Sequence, residues 1–116
     1  MKQFCILAIF MLSLSSCTQS KTKHITEFSQ NDIKNGILVD VRTPMEFNGG
    51  HLDNAYNINF LEEGFAAAFD TIAKDKTIFI YCKKGGRSAK AVQILDSLGY
   101  KKVVDLLGGY DALIDE

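Results

Sequence analysis

Three short apolar runs rich in β-branched and aromatic residues, Ile37–Val41, Thr77–Tyr81 and Val103–Leu106, are separated by segments with helical spacing. That alternation constrains the fold more than any other feature of the chain. Apolar runs of this length, with no regular polar alternation, belong to strands buried on both faces. Buried strands with helices between them pack as a parallel sheet covered by helices. The expected fold class is therefore α/β.

Local signals order the remaining elements. Ser29 is suited to cap a short helix through Lys34 that stops at Gly36. Thr43 caps a second, with Pro44 at its first position, and Gly49-Gly50 ends it. Asn57-Ile58-Asn59 reads as a short strand, and Glu62–Asp70 as a helix with acids in its first turn and core residues over 65–69. The clearest helix is Ser88–Leu98, where Ala91, Ile94, Leu95 and Leu98 share one face and Gly99 follows the end. Gly108-Gly109 leads into a final short helical stretch.

A chain of 116 residues with 47% apolar residues is one globular domain. Its formal charge of −1 provides no basic field, so nucleic acid is not an expected partner. Its two His and three Cys form neither C-x-x-C nor H-x-x-x-H, so no metal site and no cofactor are expected.

The N-terminus reads as an address. Lys2 precedes an apolar stretch, Phe4 to Leu14, that is too short to span a bilayer and apolar on all sides, as in a secretory signal. Leu14-Ser15-Ser16-Cys17 resembles a bacterial lipobox. That resemblance implies a signal over 1–16, a lipid on Cys17, a polar tether over 17–24 and a domain over 25–116. The expectation is export and lipid anchoring to a bacterial membrane, periplasmic or at the cell surface. Thr18 stands where an inner-membrane-retained protein often has Asp, which favours the outer membrane. A tethered domain needs no second copy, so a monomer is expected.

With Cys5 in the signal and Cys17 lipidated, Cys82 is the one thiol left, and its surroundings point to reactivity. Cys82-Lys83-Lys84-Gly85-Gly86-Arg87-Ser88 lies between a buried strand and a helix N-terminus, where α/β proteins bind ligands and where free amides attract anions. Gly85 and Gly86 let the backbone curl its N–H groups inward, and Lys83, Lys84 and Arg87 add three cations. Each factor favours a negatively charged sulfur.

The spacing C-x-x-G-x-R-S at Cys82, Gly85, Arg87 and Ser88 resembles the active-site loop of rhodanese-like sulfurtransferases. Asp40-Val41-Arg42 with Glu46-Phe47, then Gly50-His51-Leu52-Asp53-Asn54-Ala55, and later Gly108-Gly109 resemble further family motifs in the family's order. Departures are the missing Pro around Ile58-Asn59-Phe60, and Leu113 where an aromatic is usual. The resemblance implies a three-layer α/β/α domain with a five-stranded parallel sheet, and persulfide chemistry on the loop Cys. Asp40, Arg42 and Glu46 are expected to brace the loop by ion pairs, and His51 to be structural.

The reaction expected is transfer of sulfane sulfur from a thiosulfate-like donor to a thiol or cyanide through a Cys82 persulfide. Lys83, Lys84, Gly85, Gly86, Arg87 and Ser88 would bind the substrate. The alternatives are a Cys-dependent phosphatase or arsenate reductase, and a non-catalytic or redox module. The phosphatase loop is C-x5-R; here Cys82 to Arg87 is C-x4-R, a tighter ring with no acidic residue to act as general acid.

Overall fold

The computed structural model describes residues 20–114. Five parallel strands, β1 (Lys21–His24), β2 (Gly36–Asp40), β3 (Ala55–Asn57), β4 (Thr77–Tyr81) and β5 (Lys102–Leu107), form one sheet in the order β1-β5-β4-β2-β3. The longest apolar runs thus occupy the three central positions, where a strand has neighbours on both edges.

Side chains alternate across the sheet into two cores. One face carries Val39, Ile78, Ile80, Cys82 and Val103 beneath helix α2 (Gly86–Ser97) and the segment bearing Phe65 and Phe69. The other carries Leu38, Phe79, Tyr81 and Leu106 beneath Ile25, Phe28, Ile33 and the short helix α3 (Asp111–Ile114). Leu113 packs into this second core, so an aliphatic side chain serves where the family often has an aromatic one. Helix α1 (Pro44–Asn48) follows β2. The three-layer α/β/α arrangement with a five-stranded parallel sheet is the one expected.

Several boundaries differ from the sequence reading. Lys21–His24, assigned to a polar tether, is the edge strand β1, in register with Val104–Leu107. It pairs on one side only and its side chains stay largely exposed, so nothing apolar marks it. The Ser29–Lys34 helix is a kinked 3-10 segment, Gln30–Asn35, with the Ser29 cap in place. Glu62–Asp70 is a series of turns with a 3-10 turn at Ala67–Phe69, not a helix. Gly64 weakens helix propensity there, and Phe65 and Phe69 are fixed by edge-to-face packing with Phe60 and Tyr100. The third strand is Ala55–Asn57, two residues earlier than expected. Helix α2 likewise begins two residues early, and Leu98, expected on its buried face, is 42% exposed as its C-cap.

The signal and lipidation readings, including Cys17, lie outside the described residues. Among the described residues, no helix is long and apolar enough to cross a membrane.

Candidate active site

Strand β4 ends at Tyr81, and the chain turns at Cys82 into a loop that enters α2. The loop closes around sulfur. Gly85 N–H donates to Cys82 Sγ at 3.1 Å and Ser88 N–H at 3.3 Å, while the thiol donates to Ser88 Oγ at 3.5 Å. Ser88 Oγ in turn donates to Gly85 O at 3.1 Å. Gly85 is the N-cap of α2 at φ +124°, a conformation that L side chains rarely adopt. Ser88, which the sequence suggested as the first helical residue, is the third, and its amide is turned onto the sulfur. Amides of a first helical turn that converge on one atom stabilise negative charge there.

Cys82 is buried, only 1% exposed, whereas an open nucleophile would show more surface. Polar groups of the loop ring its sulfur. Space above Gly85 and Gly86 is open: nothing lies within 4 Å of where either Cβ would stand. A hollow of about 230 Å³ adjoins the loop, lined by Arg42, Met45, Glu46, Lys83, Tyr110 and Asp111.

The cations are arranged differently from the sequence expectation. Lys83 Nζ is 2.9 Å from Asp111 Oδ1 and Lys84 Nζ 3.1 Å from Asp111 Oδ2, so both lysines hold an acid 27 or more residues away. They keep the Asp111 carboxyl below its usual pKa. Arg87 forms a bidentate pair with Glu46, Nη1 to Oε1 at 2.7 Å and Nη2 to Oε2 at 3.0 Å, and does not close the ring on sulfur by direct contact. The positive charge of Arg87 still acts on Cys82. Glu46 also completes a capping box with Thr43 at the start of α1. Arg87 is the main cause that brings its pKa down to about 2, with partial burial opposing and Thr43 assisting. One carboxylate therefore ties α1 to α2 across the site.

Asp40 and Arg42 form a separate brace, so the expected single network with Glu46 is two pairs. Arg42 Nε and Nη2 grip the Asp40 carboxylate at 2.7 to 3.0 Å, and Arg42 N–H donates to Asp40 Oδ1 at 2.9 Å. Arg42 Nη2 also donates to Gly50 O at 2.7 Å, and the guanidinium lies 4.5 Å from the Tyr110 ring centroid. Three loops at the carboxyl end of the sheet are joined in this way. His51 stacks on Phe47 at 3.6 Å and bonds Phe47 O through Nδ1.

The Gly108-Gly109 motif supports the loop from below. Tyr110 N–H donates to Cys82 O at 2.8 Å and Asp111 N–H to Lys83 O at 3.0 Å. A Cβ on Gly109 would collide with the Lys83 carbonyl, so only glycine permits this approach. Sequence alone does not single out one further site residue, Asp111, because its pairing with Lys83 and Lys84 depends on the folded topology.

The rhodanese-like domain family matches residues 24–116. The uncharacterized protein YqhL of Bacillus subtilis is 32% identical over 108 residues, covering 92% of this chain and 84% of its own. Thiosulfate sulfurtransferase GlpE of Shewanella oneidensis is 31% identical over 96 residues, covering 80% of this chain and 93% of its own. Among solved structures, a rhodanese-related protein from Thermoplasma volcanium superimposes with a TM-score of 0.70 at 29% identity, covering 82% of this chain and 91% of that one. Fold, loop and relatives agree: the chain belongs to the rhodanese-like domain family.

Proposed function

We propose that this protein is a sulfurtransferase that carries sulfur as a persulfide on Cys82. The observation that carries the reading is the pair of amides, Gly85 N–H and Ser88 N–H, directed at Cys82 Sγ. In the first half-reaction the Cys82 thiolate attacks the outer sulfur of thiosulfate. The donor's S–S bond breaks, sulfite leaves with the electron pair, and Cys82 holds the outer sulfur as an anionic persulfide. In the second, an acceptor thiolate or cyanide attacks that outer sulfur and Cys82 leaves as thiolate. The charge stays on sulfur throughout, so fixed amide dipoles serve both halves without proton transfer to substrate.

The donor enters over Gly85 and Gly86, where no side chain overhangs the loop. An incoming dianion draws Lys83 and Lys84 from Asp111, since both side chains are well exposed and free to turn. Arg87, held by Glu46, contributes its charge from a fixed position. The C-x4-R ring favours one sulfur over a tetrahedral phosphate.

Incubation with thiosulfate should add the mass of one sulfur atom to the wild-type chain and produce thiocyanate when cyanide follows. Cys82→Ser should do neither. Turnover of aryl phosphates without sulfur uptake would refute the reading.

Residues 1–17 support the further reading that the chain is exported and lipidated on Cys17. Metabolic labelling with palmitate should mark the wild type and be lost in Cys17→Ala; persistent label would refute the anchor.

A further inference from the structure

The two poles of the sheet treat their cations differently. Around the Cys82 loop each cation is matched to an acid: Arg42 to Asp40, Arg87 to Glu46, and Lys83 and Lys84 to Asp111. At the opposite pole three neighbouring strands, β1, β5 and β4, begin on or beside lysine. Lys21 opens β1 and Lys102 opens β5, while Lys101 precedes β5 and Lys76 precedes β4. The fold draws these residues together. Lys102 is in register with Thr77, and Lys101 N–H donates to Lys74 O at 2.9 Å. Lys21, Lys101 and Lys102 line a hollow of about 240 Å³ with Thr77, Val103 and Val104.

Lys21, Lys74, Lys76, Lys101 and Lys102 are all exposed. Lys74 Nζ rests 3.8 Å from the centroid of the Tyr100 ring. The nearest acids along the chain, Asp70, Asp75 and Asp96, form no ion pair with these lysines among the described residues. A chain of formal charge −1 thus gathers five unpaired positive charges at one end. Like charges held this close repel one another, a cost that an anionic surface reverses.

We propose that this pole is a docking surface for anionic phospholipid, with its lysines against the headgroup phosphates. The proposal rests on the reading that the chain is anchored through Cys17, which stands four positions before Lys21. Attraction between exposed charges fades within about 8 Å at physiological salt, so a basic patch acts on a membrane only when something keeps it near. An anchor at residue 17 does that for this pole. Lysine suits the task, being a flexible point charge that needs no fixed partner geometry among mobile headgroups.

The test uses the full chain carrying Cys17→Ala, which takes no lipid at that position. It is sedimented with vesicles of phosphatidylcholine, alone or mixed with phosphatidylglycerol. Binding should be tighter on the anionic vesicles, and about 0.5 M salt should remove the difference. Each lysine near the surface is worth about a fivefold factor, so Lys101→Gln with Lys102→Gln should weaken anionic binding roughly 25-fold. Binding to neutral vesicles should not change. Lys90→Gln, exposed in the first half of α2, should have little effect, and an equal loss there would reduce the patch to net charge and overturn the proposal.

A footprint locates the contact. On anionic vesicles, acetic anhydride should modify the five lysines several-fold more slowly than in solution, with Lys83, Lys84 and Lys90 unchanged. Equal binding to the two vesicles, or protection spread evenly over every lysine, would overturn the proposal. So would binding to polyglutamate without binding to anionic vesicles, which marks an acidic polypeptide as the partner. Palmitate label without anionic preference would sink the docking surface alone, and anionic preference without label would sink the anchor alone.

Discussion

Two acids are buried at the carboxyl half of this sheet, and they are treated in opposite ways. Asp40 is fully buried, and its carboxylate accepts from Arg42 Nε, Nη2 and backbone N–H. Asp105 is nearly as buried, yet among the described residues it has no cation and its Oδ1 has no partner. The contrast separates a carboxylate that holds structure from one held at the fold's expense. A compensated charge fixes geometry, because its partners hold it in one place. An uncompensated one costs stability whenever it is ionised.

The largest expected effect comes from breaking the compensated side. Asp40→Ala leaves the Arg42 guanidinium buried without its partner, and chemical denaturation should show a loss of about 3–5 kcal/mol. Replacing both, Asp40→Leu with Arg42→Met, should recover most of that loss, because an apolar pair of similar volume removes both desolvation costs. Equal instability of single and double variants would refute this account of the brace.

An intermediate effect belongs to Glu46, whose pair with Arg87 is partly exposed. Its folded-state pKa, about 2, lies below its ordinary value of 4.5, chiefly because of the Arg87 pair. The pair's contribution is therefore complete above about pH 4.5 and fades as pH falls toward 2. Glu46→Gln should cost on the order of 1 kcal/mol at neutral pH, after solvent screening, and clearly less near pH 2. Urea unfolding at both pH values measures it, and a pH-independent difference would contradict the assignment.

The smallest effect, and the sharpest for the comparison, is at Asp105. Its folded-state pKa is raised by burial, so the carboxyl destabilises the fold once pH exceeds its unfolded value, and fully so above its folded value. Asp105→Leu should leave stability equal to wild type or raise it by up to about 1 kcal/mol at neutral pH, with the gain vanishing in acid. Marked destabilisation would place Asp105 with Asp40 instead.

What sequence disclosed follows how local each signal is. Ile37–Val41, Thr77–Tyr81 and Val103–Leu106 announced central strands because their neighbours on both edges and both faces exclude water. Thr43 and Pro44 announced α1 because a cap and a first-position proline act within adjacent residues, and the structure adds Glu46 to make a capping box. β1 was invisible: an edge strand reading Lys-Thr-Lys-His needs no apolar face. The loop's residue types were legible, but its ion pairs were not. Lys83 meets Asp111 at a separation of 28 and Arg87 meets Glu46 at 41, and only the folded topology brings them together. Asp105 shows the remaining gap. An acid within an apolar run reads as strand, and only the register with Ile80 shows that it is buried on the α2 face with one oxygen unpartnered.

The uniform direction of the five strands has a geometric corollary. All of them start at one pole of the domain, and Cys82 sits at the other, just past the end of β4. Only three residues separate Cys17 from Lys21, a leash of about 10 Å at full stretch. An acyl chain at Cys17 would thus press the sheet's starting pole onto the lipid headgroups and aim the sulfur away from the bilayer, toward solutes and proteins that arrive from the aqueous side.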